Sequence, residues 1–221
     1  MSTEGPAATG PGKGDRRDNF LIAMYSQLWN NVNRHITVVW QSVGILAGAF
    51  ALFALVEKHT LSFDWTCGLM VLIAGWVVAH TYDANTWFNR NITIVANIER
   101  QFLRPEDSKE VHFYFTEHRA SGDMLDHFKV HRAFGLSIGS FILLYHFSTR
   151  VLPGIGQGQP LSNFDPNRAG PYVVCVAVML WIIGFKRERQ RKINSLLERS
   201  PGLVVAKLSE VVQTSKAPDR R

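Results

Sequence analysis

Apolar residues along this chain collect in four blocks, and the stretches between them are polar and charged. Ile36 to Val56 is 21 residues without a charge, long enough for a helix to cross a hydrocarbon core of about 30 Å. Thr66 to Tyr82 adds 17 more and reaches span length by recruiting Phe63 and Trp65. Phe134 to Leu152 is broken only by Ser, Tyr, His and a late Arg150 that can snorkel outward. Ala169 to Phe185 is as short as the second, and Pro171 suits the first turn of its helix. The pattern predicts an all-α polytopic membrane protein with four transmembrane helices, arranged as two hairpins.

Helical spacing continues beyond the blocks. Leu21, Met24, Tyr25, Leu28, Trp29 and Val32 form a narrow stripe that predicts an amphipathic lead-in helix from Asp18 to Trp40. Such a helix lies in the membrane interface or packs on a cytoplasmic neighbour. Trp87, Asn91, Ile94, Val95, Ile98 and Phe102 carry the second span onward as a stalk until Pro105. Residues 105–133 form a charged connection with a short strand or turn at Val111 to Phe115 and a helix start at Ser121. Pro153 to Pro171, rich in Gly and Pro, reads as an irregular outer loop. After the fourth span a basic helix runs to residue 200, and LVVAKLSEVV in the 201–221 tail is a weak amphipathic segment. The resulting units are a disordered tail over 1–17, the lead-in helix, first hairpin and stalk over 18–104, the connection over 105–133, the second hairpin with its basic helix over 134–200, and the C-terminal tail.

Charge orients this arrangement. Of 24 Lys and Arg, 21 fall before the first span, between the second and third, or after the fourth; Lys58, Arg150 and Arg168 are the other 3. The positive-inside rule then puts both termini and the central connection in the cytoplasm. The basic excess is explained by orientation and anionic lipid, so no nucleic-acid partner is inferred. Residues 1 to 19 lack the apolar core and cleavage pattern of a signal peptide. Cys67 and Cys175 are too few for a disulfide framework or a zinc cluster. Both fall near the outer ends of their spans, as two thiols or as one bridge.

Candidate chemistry is sparse. No Asp, Glu or Lys lies within the four blocks, which argues against a proton-coupled exporter. Gln41 and Ser42 are the most polar pair at depth, for interhelical hydrogen bonding or for lining a pore. GxxxG occurs as Gly44 to Gly48 and as Gly135 to Gly139, a spacing that lets helix backbones approach closely within a chain or between subunits. SVG at 42–44 and SIG at 137–139 hint at internal repetition, but their flanks do not align. His35 with His80 is the pair able to offer two imidazoles to a b-type haem, while His131 sits near the inner surface and His146 stands alone in the outer half of the third span. His112, His118, His127 and His131 lie among carboxylates, and the i, i+4 pair His127/His131 could ligate a metal; a solvated helix face is the default. Phosphate loops, nucleophile elbows and paired acid/base carboxylates are missing, so no catalytic residue, cofactor or resident metal is assigned and no enzyme is expected.

WFNRNITIVANIERQFL at 87–103 and SQLWNNVNRHI at 26–36 resemble RipA-like oligomeric inner-membrane proteins and SLATT membrane effectors. In those groups an amphipathic helix precedes a two-span hairpin with a helical cytoplasmic extension. The likeness covers residues 20–105; the second hairpin departs from the two-span form. It implies a homo-oligomer in the lipid bilayer, with a pore-forming or membrane-stress and defence role and a cytoplasmic protein or small-molecule signal as trigger. A small b-type haem redox protein and a passive channel or transporter subunit are the alternatives.

Overall fold

The computed structural model describes residues 13–110, 126–158 and 165–200. Among these, all regular structure is helical: α1 Lys13–Ala49, α2 Leu52–Glu57, α3 Phe63–Phe102, α4 Asp126–His146, α5 Leu152–Gly156 and α6 Gly170–Arg199. A π-helical turn, Phe147–Val151, joins α4 to α5, and 3₁₀ turns occupy Pro105–Lys109 and Pro166–Ala169. Among the described residues three helical stretches are long and apolar enough to cross a membrane: Gly14–Glu57, Phe63–Phe102 and Pro166–Arg199. The third expected span is not among them. Its charged first turns, with Asp126, Lys129 and Arg132, share one helix with the apolar part, and the π turn ends that helix at His146.

Helix α3 is the hub. In its apolar window 61% of residues are buried, against 22% for the α1–α2 window and 11% for that of α6, because α1, α4 and α6 each pack on it. Small residues make the close approach feasible. On α3, Ala74 and Gly75 face two neighbours. A Cβ on Gly135 of α4 would stand 3.0 Å from Val78 Cγ2 and 3.4 Å from the Ala74 carbonyl oxygen, and one on Gly139 would stand 3.6 Å from Ala74 Cβ. On the other side a Cβ on Gly75 would collide with Val178 Cγ1 of α6. In hydrocarbon, where burial supplies little drive, such backbone proximity supplies the dispersion contact that holds helices together.

The lead-in helix and the first span are one continuous helix that begins at Lys13, so residues 13–17 belong to it and not to a tail. Its apolar stripe packs on the stalk: Leu28, Val32 and Val39 meet Ala84, Phe88, Ile92, Val95 and Phe128 in the largest buried cluster. Of the two placements open to the lead-in helix, packing on a neighbour is the one observed. Tyr25 Oη donates to Glu99 Oε1 at 3.3 Å and Arg17 Nη2 to Gln101 Oε1 at 3.0 Å along the same seam. The column tightens at Phe50 and Ala51, whose N–H groups bond three residues back to Ala47 and Gly48 before α2 resumes.

Helix ends follow local chemistry. Ser62 caps α3, its Oγ accepting from Trp65 N at 3.2 Å, and Asp64 sits in the first turn. Lys129 Nζ donates to Asp126 Oδ1 at 2.9 Å and holds that carboxyl below its ordinary range, so the start of α4 keeps a negative charge. Pro171 lies in the first turn of α6, which runs unbroken through the basic segment to Arg199 ahead of Pro201. The loop expected from Pro153 is helical as far as Gly156 and again over Pro166–Ala169. The helix start at Ser121, the strand or turn at Val111 to Phe115, and the segment within 201–221 lie outside the described residues.

Candidate functional site

The polar side chains that the fold gathers at the loop end of the bundle are Asp64, His146, Arg150 and Tyr172. Each comes from a different place: the first turn of α3, the end of α4, the π turn, and the first turn of α6. Asp64 Oδ1 accepts from Arg150 Nε at 3.1 Å and Oδ2 from Arg150 Nη2 at 3.2 Å, a two-pronged pair. The same Oδ1 lies 2.9 Å from His146 Nε2, and His146 Nδ1 lies 3.0 Å from Tyr172 Oη. The Asp64 and His146 side chains are 4% and 0% exposed, whereas Arg150 is 40% exposed and keeps contact with solvent. Phe63 covers the imidazole, its ring stacked at 5.7 Å with an interplanar angle of 10°.

A carboxylate only accepts, so His146 presents Nε2–H to Asp64. In the neutral tautomer this leaves Nδ1 as the acceptor for the Tyr172 hydroxyl. A relay Tyr172–His146–Asp64–Arg150 thereby ties α3, α4 and α6 together through one carboxylate. The π turn that carries Arg150 frees carbonyls, and hydroxyls meet them: Ser148 Oγ and Thr149 Oγ1 both donate to Tyr145 O, at 2.9 and 2.8 Å. Arg168 Nη1 donates to Arg150 O at 3.1 Å and closes the end. Asp64 also borders an otherwise mainly apolar groove of about 540 Å³ between α3 and α6, lined by Leu61, Trp65, Leu69, Leu72 and Val174.

The charge-free block starts at Thr66, and the extension to Phe63 and Trp65 passes over Asp64, which α3 includes and buries. Two signals in the chain mark this site: the Ser-x-Asp pattern at 62–64, which starts a helix with a carboxylate inside it, and the spacing of four between His146 and Arg150. No protein-family model, no curated protein and no solved structure matches the chain.

The two GxxxG pairs have different fates. Gly135 and Gly139 form the α3–α4 seam within the chain, whereas a Cβ on Gly44 or Gly48 would meet nothing within 4 Å. Ser42 is 1% exposed and turns its hydroxyl back to Val39 O at 2.6 Å. Gln41 is exposed on α1, and its side-chain amide makes no hydrogen bond to a described residue. It shares its face with Gly44, Ile45 and Gly48.

Histidines elsewhere sit against aromatic rings. His35 stacks on Trp87 at 6.0 Å and His80 on Trp76 at 5.3 Å, each nearly parallel, and His131 meets the edge of Trp40 at 4.6 Å while its Nδ1 lies 2.6 Å from His127 O. Burial, with the nearby His131 adding to it, pushes the His127 imidazole below its ordinary value. His112 and His118 lie outside the described residues, and no group of three His, Cys, Asp or Glu forms a metal cage among the described ones. Cys67 and Cys175 are free thiols.

Proposed function

We propose that the chain is a four-span, non-enzymatic protein of a bacterial inner membrane that works as a homo-oligomer, with α1 as the contact between copies. The observation that carries this reading is the uncovered face of α1. Gln41 presents an unbonded primary amide roughly a third of the way into an uncharged span, beside two glycines with open space around them. An amide left without a partner in hydrocarbon costs about 4–8 kcal/mol on the transfer scale that allows no hydrogen bond. A second copy of the same face satisfies it, because a primary amide both donates and accepts and so matches its own symmetry mate. Gly44 and Gly48 supply the close approach such a pair needs. Ile45, on the same face, borders an apolar groove of about 500 Å³ with Leu72, Ile73, Trp76 and Trp181, a place for a neighbouring helix.

The remaining span in this reading, third in chain order, is the column from Phe134 of α4 through the π turn to α5. Phe134, Leu136, Phe141, Leu144 and Leu152 are exposed along it, which suits lipid contact. The inner termini follow from the 21 to 3 division of cations. The stalk and lead-in helices then form the cytoplasmic part, the place where a trigger would act in a pore-forming or membrane-stress effector.

Light scattering on the detergent-solubilised protein is expected to give a mass of several subunits. Gln41→Leu should weaken association by about 5- to 30-fold, the equivalent of about 1–2 kcal/mol for an interhelical polar bond. Gly48→Leu should abolish it by blocking backbone approach. A wild-type monomer across the accessible concentration range rejects the reading.

A further inference from the structure

We infer that the α2 end of the bundle holds a binding site for a quaternary ammonium group, carried by a small soluble cation or by a choline headgroup. A cavity of about 400 Å³ opens there between α2, the start of α3 and the outer half of α4. Five aromatic rings line it: Phe50 and Phe53 just before and within α2, Phe63 at the start of α3, and Phe141 and Tyr145 on α4. Glu57, the last residue of α2, is the one charged side chain among the described residues of this lining.

The rings form a continuous wall drawn from three elements. Phe53 stands 6.3 Å from Phe50 and 6.2 Å from Phe63, and Tyr145 stands 5.9 Å from Phe63 and 6.4 Å from Phe141, centroid to centroid. Interplanar angles of 34°, 46° and 77° from Phe50 through Phe53 and Phe63 to Tyr145 make the wall turn instead of stacking flat. His146, stacked on Phe63 at 5.7 Å, fixes the plane of that ring, so the Asp64 site props one side of the cavity. Phe50, Phe141 and Tyr145 are exposed, which leaves aromatic surface open to a ligand.

This lining selects for one kind of charge. The face of an aromatic ring is the negative part of its quadrupole and attracts a cation. Glu57 adds a full negative charge beside the rings: it is exposed and makes no hydrogen bond or ion pair with a described residue, its neighbour Lys58 included. An anion meets no cation among the described lining residues. A primary ammonium brings three N–H donors that the rings cannot accept, whereas a quaternary ammonium has none and is covered by alkyl groups. Rings with one carboxylate therefore suit the quaternary ion best. Residues 58–62, the exposed turn that follows Glu57, keep the site within reach of water. On the membrane reading this is the outer end, where lipid headgroups also lie.

The test is thermal unfolding of the full chain in an uncharged detergent at constant chloride concentration. The titrants are choline, its uncharged carbon isostere dimethylbutanol, and phosphatidylcholine. Choline is expected to raise the midpoint saturably and dimethylbutanol to leave it unchanged. Tyr145→Leu, which keeps an apolar side chain but removes the ring, should raise the half-saturating concentration about two- to fivefold, the range of an exposed cation–ring contact. Tyr145→Phe keeps the ring and should titrate like the wild type. Glu57→Gln should weaken binding about two- to fivefold, as for an exposed ion pair, while Glu106→Gln, outside the cavity, should not. Tyr145 and Glu57 are exposed, so their variants fold. If phosphatidylcholine alone gives the saturable shift with the same dependence on Tyr145 and Glu57, the site stands and its source is the lipid. Equal shifts with choline and dimethylbutanol, as an aromatic belt without a cation site would give, overturn it. So does a saturable shift with neither choline nor phosphatidylcholine, or wild-type titration by Tyr145→Leu. Oligomer mass does not enter this readout, so the site and the assembly can fail separately.

Discussion

Asp64→Ala is expected to destabilise the folded chain by about 3 kcal/mol, at the lower end of what removal of one partner from a buried ion pair costs. The carboxylate is 4% exposed and meets both Arg150 and His146. Its removal leaves the fully buried His146 Nε2–H with no acceptor, an additional desolvation loss. Arg150, at 40% exposure, recovers water, which keeps the total from rising further. Asp64→Asn is close in shape and keeps one acceptor oxygen for His146 Nε2 and Arg150 Nε but turns an NH2 donor toward Arg150 Nη2; because Arg150 reaches water, a loss of about 1–2 kcal/mol is expected, smaller than for alanine. Tyr172→Phe removes only the hydroxyl bonded to His146 Nδ1 at 3.0 Å and should cost about 1 kcal/mol. The measurement is the unfolding free energy of each variant in one detergent. If Asp64→Ala unfolds within about 0.5 kcal/mol of the wild type, where ordinary surface changes fall, the carboxylate does not tie the three helices.

The second large effect belongs to Gly75. A methyl group there collides with Val178 Cγ1 on α6, and Val178 is itself 8% exposed and β-branched, with little rotamer freedom to withdraw. Overpacking of this kind costs about 1–3 kcal/mol. Gly75→Ala should therefore lower stability by that amount. Val178→Ala, introduced alongside it, should restore most of the loss by making room. Gly44→Ala has open space and should leave the protomer's stability unchanged within about 0.5 kcal/mol. The double-variant cycle decides the point: if Val178→Ala adds its own cost to that of Gly75→Ala and no recovery appears, the α3–α6 approach is not limited at this pair.

Both expectations come from residues whose importance is invisible in their immediate surroundings. Gly44 and Gly48 carry the same GxxxG spacing as Gly135 and Gly139, in equally apolar helices. The chain folds one pair against Ala74 and Val78 and leaves the other open. Spacing records that a helix has a smooth face; it does not record whether the fold turns that face inward. Gln41 and Ser42 make the same point as direct neighbours. Ser42 is buried and satisfied by its own backbone, and Gln41, one residue earlier and about 100° around the helix, faces out.

The ionic site at Asp64 has no signature in local hydropathy. Drawing a span as a run free of charge excludes any carboxylate by construction, so the second block began two residues after it. What makes Asp64 tolerable inside the bundle is Arg150, 86 residues along the chain, and His146, 82 residues along. No window of local hydropathy contains both halves of that pair. The break of the third block is similar: Phe134 to Leu152 reads as one apolar run, yet the helix changes to a π turn after His146, where Ser148 and Thr149 take up the freed carbonyl and Arg150 reaches Asp64.

By itself the amino-acid sequence determined that the chain is helical, roughly where its long apolar helices run, and that Pro105, Pro171 and Pro201 bound them, because helix length, hydrophobicity and proline's missing N–H are local properties. Its charge count set the expected orientation in the same local way. Tertiary structure alone decided that α3 is the hub, that the lead-in helix lies on the stalk, which GxxxG face is spent, and that Asp64, His146, Arg150 and Tyr172 meet. Those outcomes depend on pairings between segments far apart in the chain, and the strength of a close approach or a buried ion pair exists only once both partners are in place.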